Sequence, residues 1–145
     1  MSFPTRLWIM VDVETSGPVY GLHEMTELGA VIGSRERGVI DRFEALLKPT
    51  RGEVRTSRAS YERATREGRD ARGEMERFRA WTARYAVEKP TFIARPAAFD
   101  WPWVVHYAWT HLGENPFGFK AVCASSWFEA RGRRFDVKLP HVAVR

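Results

Sequence analysis

The chain has 145 residues, 44% of them hydrophobic, and one cysteine, so it can build one core and excludes a disulfide framework or a multi-cysteine zinc site. Its net charge of +5 is compatible with a polyanionic partner, although arginine so outnumbers lysine that part of the excess can reflect genome composition. No signal peptide or bilayer-spanning apolar run is visible, so we expect a single cytoplasmic domain over residues 1–145.

Three strands are predicted first in the chain, joined by short connections. Residues 6–14 are apolar on both faces, which is typical of a central strand in a sheet that is covered on both sides. Residues 25–33 form the second predicted strand. Residues 38–47 alternate apolar and polar side chains until Pro49 ends the run. These segments predict an antiparallel meander before any helix.

The helical part of the chain is predicted to begin after an arginine-rich connection. Residues 51–72 are polar, and we interpret them as a surface connection. Apolar side chains then recur at three- and four-residue steps over residues 73–86, which predicts a helix with its stripe against the core. A short strand at residues 91–94 follows. A second helix is predicted to start near Phe99 and to end before Gly113.

Two carboxylates stand at the end of the first predicted strand. Asp12 and Glu14 share one face of that strand with Trp8 and Met10, because side chains alternate along a strand. Folding alone would favour another hydrophobic residue there. Two partly buried carboxylates repel each other unless a cation lies between them, and a divalent metal ion supplies that charge. The pair therefore indicates a metal site.

Asp100 opens the second predicted helix, directly after the short apolar strand. One interpretation makes it a helix N-cap, a role that aspartate often fills. In an α/β topology, however, this position lies at the carboxyl edge of the sheet. Asp12 and Glu14 emerge at the same edge, which favours a shared site.

Four segments in chain order resemble the motifs of the DEDD exonuclease superfamily, in its histidine-containing DEDDh branch. They are residues 12–17 (DVETSG), 27–31 (ELGAV), 97–100 (AAFD) and 140–143 (PHVA). The resemblance implies an α/β ribonuclease-H-like fold, in which a mixed sheet of a three-strand antiparallel meander plus a parallel strand is flanked by helices. It also implies removal of nucleotides from 3′ ends with two divalent ions, Mg²⁺ or Mn²⁺.

The resemblance assigns a role to each candidate residue. Asp12 and Glu14 would hold the metal ions, and Asp100 would support the second ion. His141 matches the histidine of the branch and would act as general base on the attacking water. The other three histidines of the chain are interpreted as structural or solvent-facing; they are His23, His106 and His111.

Substrate contacts are predicted beside these carboxylates. Phe99 is the best candidate for stacking on a base, because it precedes Asp100, while most aromatic residues of its helix are expected in the core. Thr15 and Ser16 are predicted to contact the terminal nucleotide. The predicted partner is single-stranded nucleic acid, and the resemblance to small relatives implies a homodimer.

The sequence departs from the family pattern at two places. The fourth acidic residue of the family follows the histidine by five positions, which would be position 146, whereas the sequence ends at Arg145. We therefore expect either a fragment that lacks the C-terminal helix or a chain with impaired chemistry that holds one metal ion. Arg95 and Pro96 stand where members commonly carry histidine and asparagine, so a hydrogen-bond anchor for the substrate strand is lost but no metal ligand.

The resulting prediction is a metal-dependent 3′–5′ exoribonuclease. RNA is preferred because the Trp-Pro-Trp segment at residues 101–103 and the turn at residues 113–118 resemble small bacterial stand-alone exoribonucleases. Two alternatives stay open. One is a 3′–5′ DNA exonuclease, and the other is a nucleic-acid-binding module that has lost its activity.

Overall fold

A computed structural model describes residues 6–52, 54–85 and 89–132. Within these ranges, five strands form one mixed sheet, and helices pack against it. In chain order the elements are β1 (Trp8–Thr15), β2 (Met25–Ser34), β3 (Gly38–Leu46), α1 (Arg58–Glu67), α2 (Ala71–Ala83), β4 (Thr91–Ala94), α3 (Ala97–Leu112), β5 (Ala121–Cys123) and α4 (Ala124–Ala130). The strand order in the sheet is β3-β2-β1-β4-β5.

The strand β1 is the centre of the sheet, as its apolar sequence predicts. It pairs antiparallel with β2, and β2 pairs antiparallel with β3, which confirms the meander. On its other edge β1 pairs in parallel with β4. The side chains of Ile9, Val11 and Val13 on one face of β1 are buried. The predicted mixed sheet is therefore confirmed.

The pairing between β1 and β4 stops early, and this leaves an open edge. Only Trp8, Ile9 and Met10 of β1 have partners on β4. The strand β1 continues to Thr15, still paired with β2. Its last residues thus project past the carboxyl end of β4, where the chain turns into α3. In an open sheet with parallel strands, this is where ligands commonly bind.

The helices α2 and α3 supply most of the helical side of the core. Met75, Phe78 and Trp81 of α2 are buried, which confirms the predicted stripe. The helix α3 ends at Gly113, whose positive φ of 70° gives the left-handed cap expected there. In the part of the chain that the structure describes, no helix has the length and apolar character needed to cross a membrane.

Three sequence-based assignments need correction. Residues 58–67, within the predicted surface connection, form α1, which Ser57 caps at its N-terminus; only Ala64 of this helix is buried, so no apolar stripe marks it. The helix α3 begins at Ala97, two residues before the predicted start. Strand β5 and helix α4 were not predicted, because a three-residue strand and a seven-residue helix are too short to show a periodic pattern.

Candidate active site

The Asp100 carboxyl is fixed on the open edge of β1. The side chain is only 2% exposed, and its Oδ1 accepts a hydrogen bond of 3.0 Å from the backbone N–H of Val13. This N–H points away from β2, toward the place where β4 has already ended. The residue that caps α3 is Pro96, so the N-cap interpretation of Asp100 is wrong. Asp100 instead joins the first turn of α3 to the middle of the sheet.

Three carboxyl groups influence one another at this edge. The pKa of Asp100 is raised to about 7, mainly by burial; the negative charges of Asp12 and Glu14 contribute to this rise, and the hydrogen bond from Val13 opposes it. Asp12 is half-buried on β1, and Glu14 is exposed near the end of the strand. The residues predicted as ligands from positions far apart in sequence are thus neighbours in the fold.

A second contact fixes α3 in its position. The backbone N–H of Met25, at the start of β2, donates a hydrogen bond of 2.7 Å to the hydroxyl of Tyr107. Burial is the main reason that the pKa of Tyr107 rises to about 12, so this hydroxyl stays protonated. The contacts at Asp100 and Tyr107 hold α3 to β1 and β2, and they set the place of the Asp100 carboxyl.

The connection between β1 and β2, residues 16–24, is a compact loop beside the carboxyl groups; we call it the site loop. Its ends are joined by a hydrogen bond of 2.8 Å from Ser16 N–H to the carbonyl of Glu24. The loop closes tightly because Gly17 has no side chain. A Cβ at this position would lie 2.1 Å from Cδ2 of His23, inside any allowed contact distance. The imidazole of His23 is buried and accepts a hydrogen bond from the N–H of Val19.

The segment after β3 packs on the site loop and holds it. The carboxylate of Glu24 accepts hydrogen bonds from the backbone N–H groups of Thr50 and Arg51, both at 2.9 Å, and from the Thr50 hydroxyl. The guanidinium of Arg51 donates to the carbonyls of Gly21 and Leu22, each at 3.0 Å. Several polar contacts therefore restrain the loop in one conformation.

The predicted substrate residues of β1 and the site loop are buried. The Thr15 hydroxyl donates to the carbonyl of Gly17, and the Ser16 hydroxyl accepts from the N–H of Glu24. Both hydroxyls thus serve the loop itself, and contact of either residue with a nucleotide stays a prediction. Phe99 is partly buried beside Asp100, and its ring centroid lies 6.2 Å from that of Trp103.

The predicted general base, His141, lies outside the described residues. The other three histidines have the structural surroundings expected for them. His23 packs inside the site loop, while the rings of His106 and His111 lie 6.0 Å and 5.2 Å from the ring of Tyr107. Burial lowers the pKa of His111, which favours its neutral form.

The carboxyl groups at the open edge have the right chemistry for a hard divalent cation. Across residues 6–52, 54–85 and 89–132, no three histidine, cysteine or acidic side chains form a ready-made metal-binding group. Asp12, Glu14 and Asp100 nevertheless provide oxygen donors only, as Mg²⁺ and Mn²⁺ prefer. A cation near them would also offset the negative charges of Asp12 and Glu14, which contribute to the raised pKa of Asp100. The donor set therefore fits such an ion in kind.

A known protein is similar to this chain in sequence. The 3′–5′ DNA exonuclease Cap18 of Escherichia coli is 30% identical over 130 residues, which cover 85% of this chain and 68% of Cap18. No protein-family model matches the chain.

Solved structures share the fold. E. coli exonuclease I in complex with a 5cy-dA13 oligonucleotide superimposes with a TM-score of 0.68 at 13% identity, over 96% of this chain and 33% of that chain. A product-bound exonuclease I gives a TM-score of 0.69 at 14% identity, over 88% of this chain and 32% of that chain. The present chain thus spans about a third of the length of these exonuclease I chains.

The sheet order and the flanking helices define a ribonuclease-H-like fold, which the chain shares with exonuclease I. The relationship to Cap18 makes the assignment more specific. The chain belongs to the DEDD superfamily of 3′–5′ exonucleases, which are hydrolases of nucleic acid.

Proposed function

We propose that this chain is a metal-dependent 3′–5′ exonuclease that shortens single-stranded DNA. One observation carries the proposal: Asp100 is buried at the open edge of β1, on the N–H of Val13, where Asp12 and Glu14 act on its charge. A fold that needed only stability would not place three acidic side chains together there, because burial and like charges both oppose ionisation.

The proposed chemistry assigns the metal ions to these carboxylates. Asp12, Glu14 and Asp100 would hold Mg²⁺ or Mn²⁺; when bound, such ions neutralise charge on the scissile phosphate and provide hydroxide near neutral pH. Asp100 contributes a carboxyl whose position is fixed by Val13 and whose surroundings exclude water. The general-base role of His141 and the number of ions stay predictions.

The choice of DNA rests on the relatives. Cap18 is named as a DNA exonuclease, and exonuclease I is described in complexes with single-stranded DNA. The preference for RNA drawn from the sequence depends on two short segments and stays a prediction, as does the homodimer. RNA and DNA share the phosphodiester chemistry of the site, so only a direct comparison of substrates decides between them.

The test uses oligonucleotides labelled at the 5′ end, in DNA and RNA versions of one sequence, with Mn²⁺ or Mg²⁺. We expect a ladder of labelled DNA products that shorten one nucleotide at a time. Asp12→Ala should reduce the rate more than about 100-fold, since even residues that only support metal ligands typically contribute 10- to 100-fold. Glu62→Ala, which removes an exposed carboxylate on α1, is the matched control and should shorten DNA like the wild type.

Two results would contradict the proposal. Binding of the oligonucleotide without shortening would favour the inactive binding module. Shortening of RNA but not of DNA would restore the exoribonuclease prediction and reject the proposed substrate class.

A further inference from the structure

A row of aromatic rings leads from the carboxyl groups to the tip of the site loop. Phe99 precedes Asp100, and its ring lies 6.2 Å from Trp103. The ring of Trp103 lies 6.4 Å from that of Tyr20, which lies 5.8 Å from the imidazole of His106. The row thus joins the first turns of α3 to the loop that follows β1.

The members of this row differ in their access to solvent. Trp103 is 1% exposed and belongs to the core, whereas Tyr20 is 52% exposed at the loop tip. Its neighbours Val19 and Leu22 are also large apolar residues that face solvent. Exposed aromatic and apolar side chains on a loop with fixed backbone contacts are characteristic of a binding surface, because burying them on a ligand costs little ordering entropy.

There is also open space beside the site loop, lined by the neighbours of Tyr20 rather than by Tyr20 itself. A cleft with a volume of about 570 Å³ lies between the site loop, the segment after β3 and α3; Gly21 and His106 line it. This volume lies within the range of sites that hold small organic groups, about 300–1,000 Å³. Lys48 and Arg51 stand on its wall. The acidic residues there are already engaged, since Glu24 accepts from Thr50 and Arg51, and Asp70 caps α2.

We propose that Tyr20 is a substrate-binding residue that stacks on a base of single-stranded DNA upstream of the terminal nucleotide. This inference rests on the proposed function and extends it from the reacting phosphate to the strand that follows. The ring row links Tyr20 through Trp103 to Phe99, the residue before Asp100, so a strand that leaves the carboxyl groups along α3 would meet the tyrosine. Stacking accepts every base, so this contact serves a nuclease that reads no sequence.

The same contacts admit a purely structural role. Tyr20 covers the buried Trp103, so its removal can loosen the loop and weaken every substrate equally. The two roles differ in one measurable respect. A stacking residue acts on one particular base, and its effect disappears when that base is absent.

The experiment therefore measures binding of a 5′-fluorescein-labelled oligothymidylate by anisotropy in EDTA, where no hydrolysis occurs. One base at a time is removed from the last few positions at the 3′ end. For the wild type, loss of the base over Tyr20 should weaken binding about 5- to 100-fold, the effect typical of one stacked base. Tyr20→Ala should bind the intact strand more weakly by a similar factor. Removal of that base should then not change the affinity of the variant.

Two control variants complete the design. Tyr20→Phe keeps the ring and should bind like the wild type. Phe119→Ala removes a fully exposed aromatic side chain that lies outside the ring row, and it should change nothing.

Tyr20→Ala with wild-type affinity would overturn the inference. The inference would also be overturned if Tyr20→Ala weakened the binding of every strand by the same factor and removal of each base still weakened binding to the variant. That result would indicate the structural role. Because binding is measured without metal, either result can occur in a protein that shortens DNA with Mn²⁺, so the exonuclease proposal would survive. Absence of shortening is the separate result that rejects the exonuclease.

Discussion

Two aspartates, Asp41 on β3 and Asp100 on α3, show how the same type of side chain serves stability or function. Asp41 on β3 is surrounded by donors: the hydroxyl of Tyr85, Nε1 of Trp81 at 2.8 Å, and the backbone N–H of Arg42 at 2.8 Å. These hydrogen bonds, that of Tyr85 first, lower the pKa of Asp41 below its usual value. The fold stabilises the charged form of this carboxylate.

Asp100 has the opposite surroundings. It is buried, the backbone N–H groups of Val13 and of Asp100 itself donate to its side chain, and Asp12 and Glu14 add negative charge nearby. The fold therefore disfavours its charged form and raises its pKa to about 7. A carboxylate whose charge is satisfied by donors serves stability, whereas a carboxyl placed where its own ionisation is opposed is a candidate functional group.

The largest effect that separates the two aspartates is expected in activity. Asp100→Asn keeps an oxygen for the Val13 N–H but removes the charge that a metal ion needs. The shortening rate of a labelled oligonucleotide should fall more than about 100-fold. The same variant should melt at a higher temperature than the wild type in EDTA, because it removes a buried charge.

The matched control is Asp41→Asn. It should keep the activity and melt at a lower temperature, since the donors around Asp41 lose their charged partner. If both variants lost activity, or if Asp100→Asn destabilised the metal-free protein, the distinction between the two sites would be broken.

The second effect is the pH dependence of stability in EDTA. The folded pKa of Asp100, about 7, exceeds the ordinary value of 3.8, so between these values the folded chain holds a proton that the unfolded chain has released. The contribution of Asp100 to unfolding free energy therefore decreases as pH rises through this window, by at most about 1.4 kcal/mol per pH unit. Urea unfolding of wild type and Asp100→Asn measures the difference.

The contribution of Asp41 to the unfolding free energy changes with pH in the opposite direction, and it does so at lower pH. Its folded pKa lies below 3.8, so its contribution is complete above that value and is lost as pH falls through the folded pKa. If the difference in unfolding free energy between wild type and Asp100→Asn stayed constant from pH 4 to pH 7, the raised pKa of Asp100 would be contradicted.

The smallest effect comes from a pair of glycines in the two regions. Gly17→Ala places a Cβ 2.1 Å from His23 in the site loop, and we expect a loss of about 1–3 kcal/mol in unfolding free energy, as is typical of overpacking, together with reduced activity. Gly73→Ala, near the start of α2, meets no atom closer than 3.9 Å. It should instead stabilise the protein by about 0.4–1 kcal/mol.

Chemical denaturation of both variants provides the measurement. Removal of the imidazole in the double variant Gly17→Ala/His23→Ala should recover part of the lost activity if the collision is the cause. Equal changes in unfolding free energy for the two glycine substitutions would contradict the prediction that the site loop has no space for a Cβ atom whereas the helix α2 has.

Much of the fold follows from local patterns. The apolar run of β1, the alternation in β3 and the stripe of α2 each predict their element, because a buried face imposes the period of the strand or helix. The helix α1 escaped prediction because arginine and glutamate on an exposed helix leave no such period; its pairs, such as Arg63 with Glu67 at 3.4 Å, face solvent.

The candidate site could be predicted only in part. The position of Asp12 and Glu14 at a strand end and the resemblance of four segments were sufficient to name them and Asp100. Tyr20 is visible in the sequence as an aromatic residue between glycines 17 and 21. A single aromatic residue in a turn, however, belongs to no periodic pattern from which the direction of its side chain could be predicted.

The sequence by itself determined that a central strand ends in two carboxylates, since alternation along one strand requires no distant partner. Only the tertiary structure decided that β4 ends at Ala94, so that the backbone N–H of Val13 has no partner on β4. It also decided that α3 places the Asp100 carboxyl where it accepts a hydrogen bond from this N–H. The reason is that burial and charge repulsion act through space. Residues 87 positions apart become neighbours only after the sheet and α3 have packed.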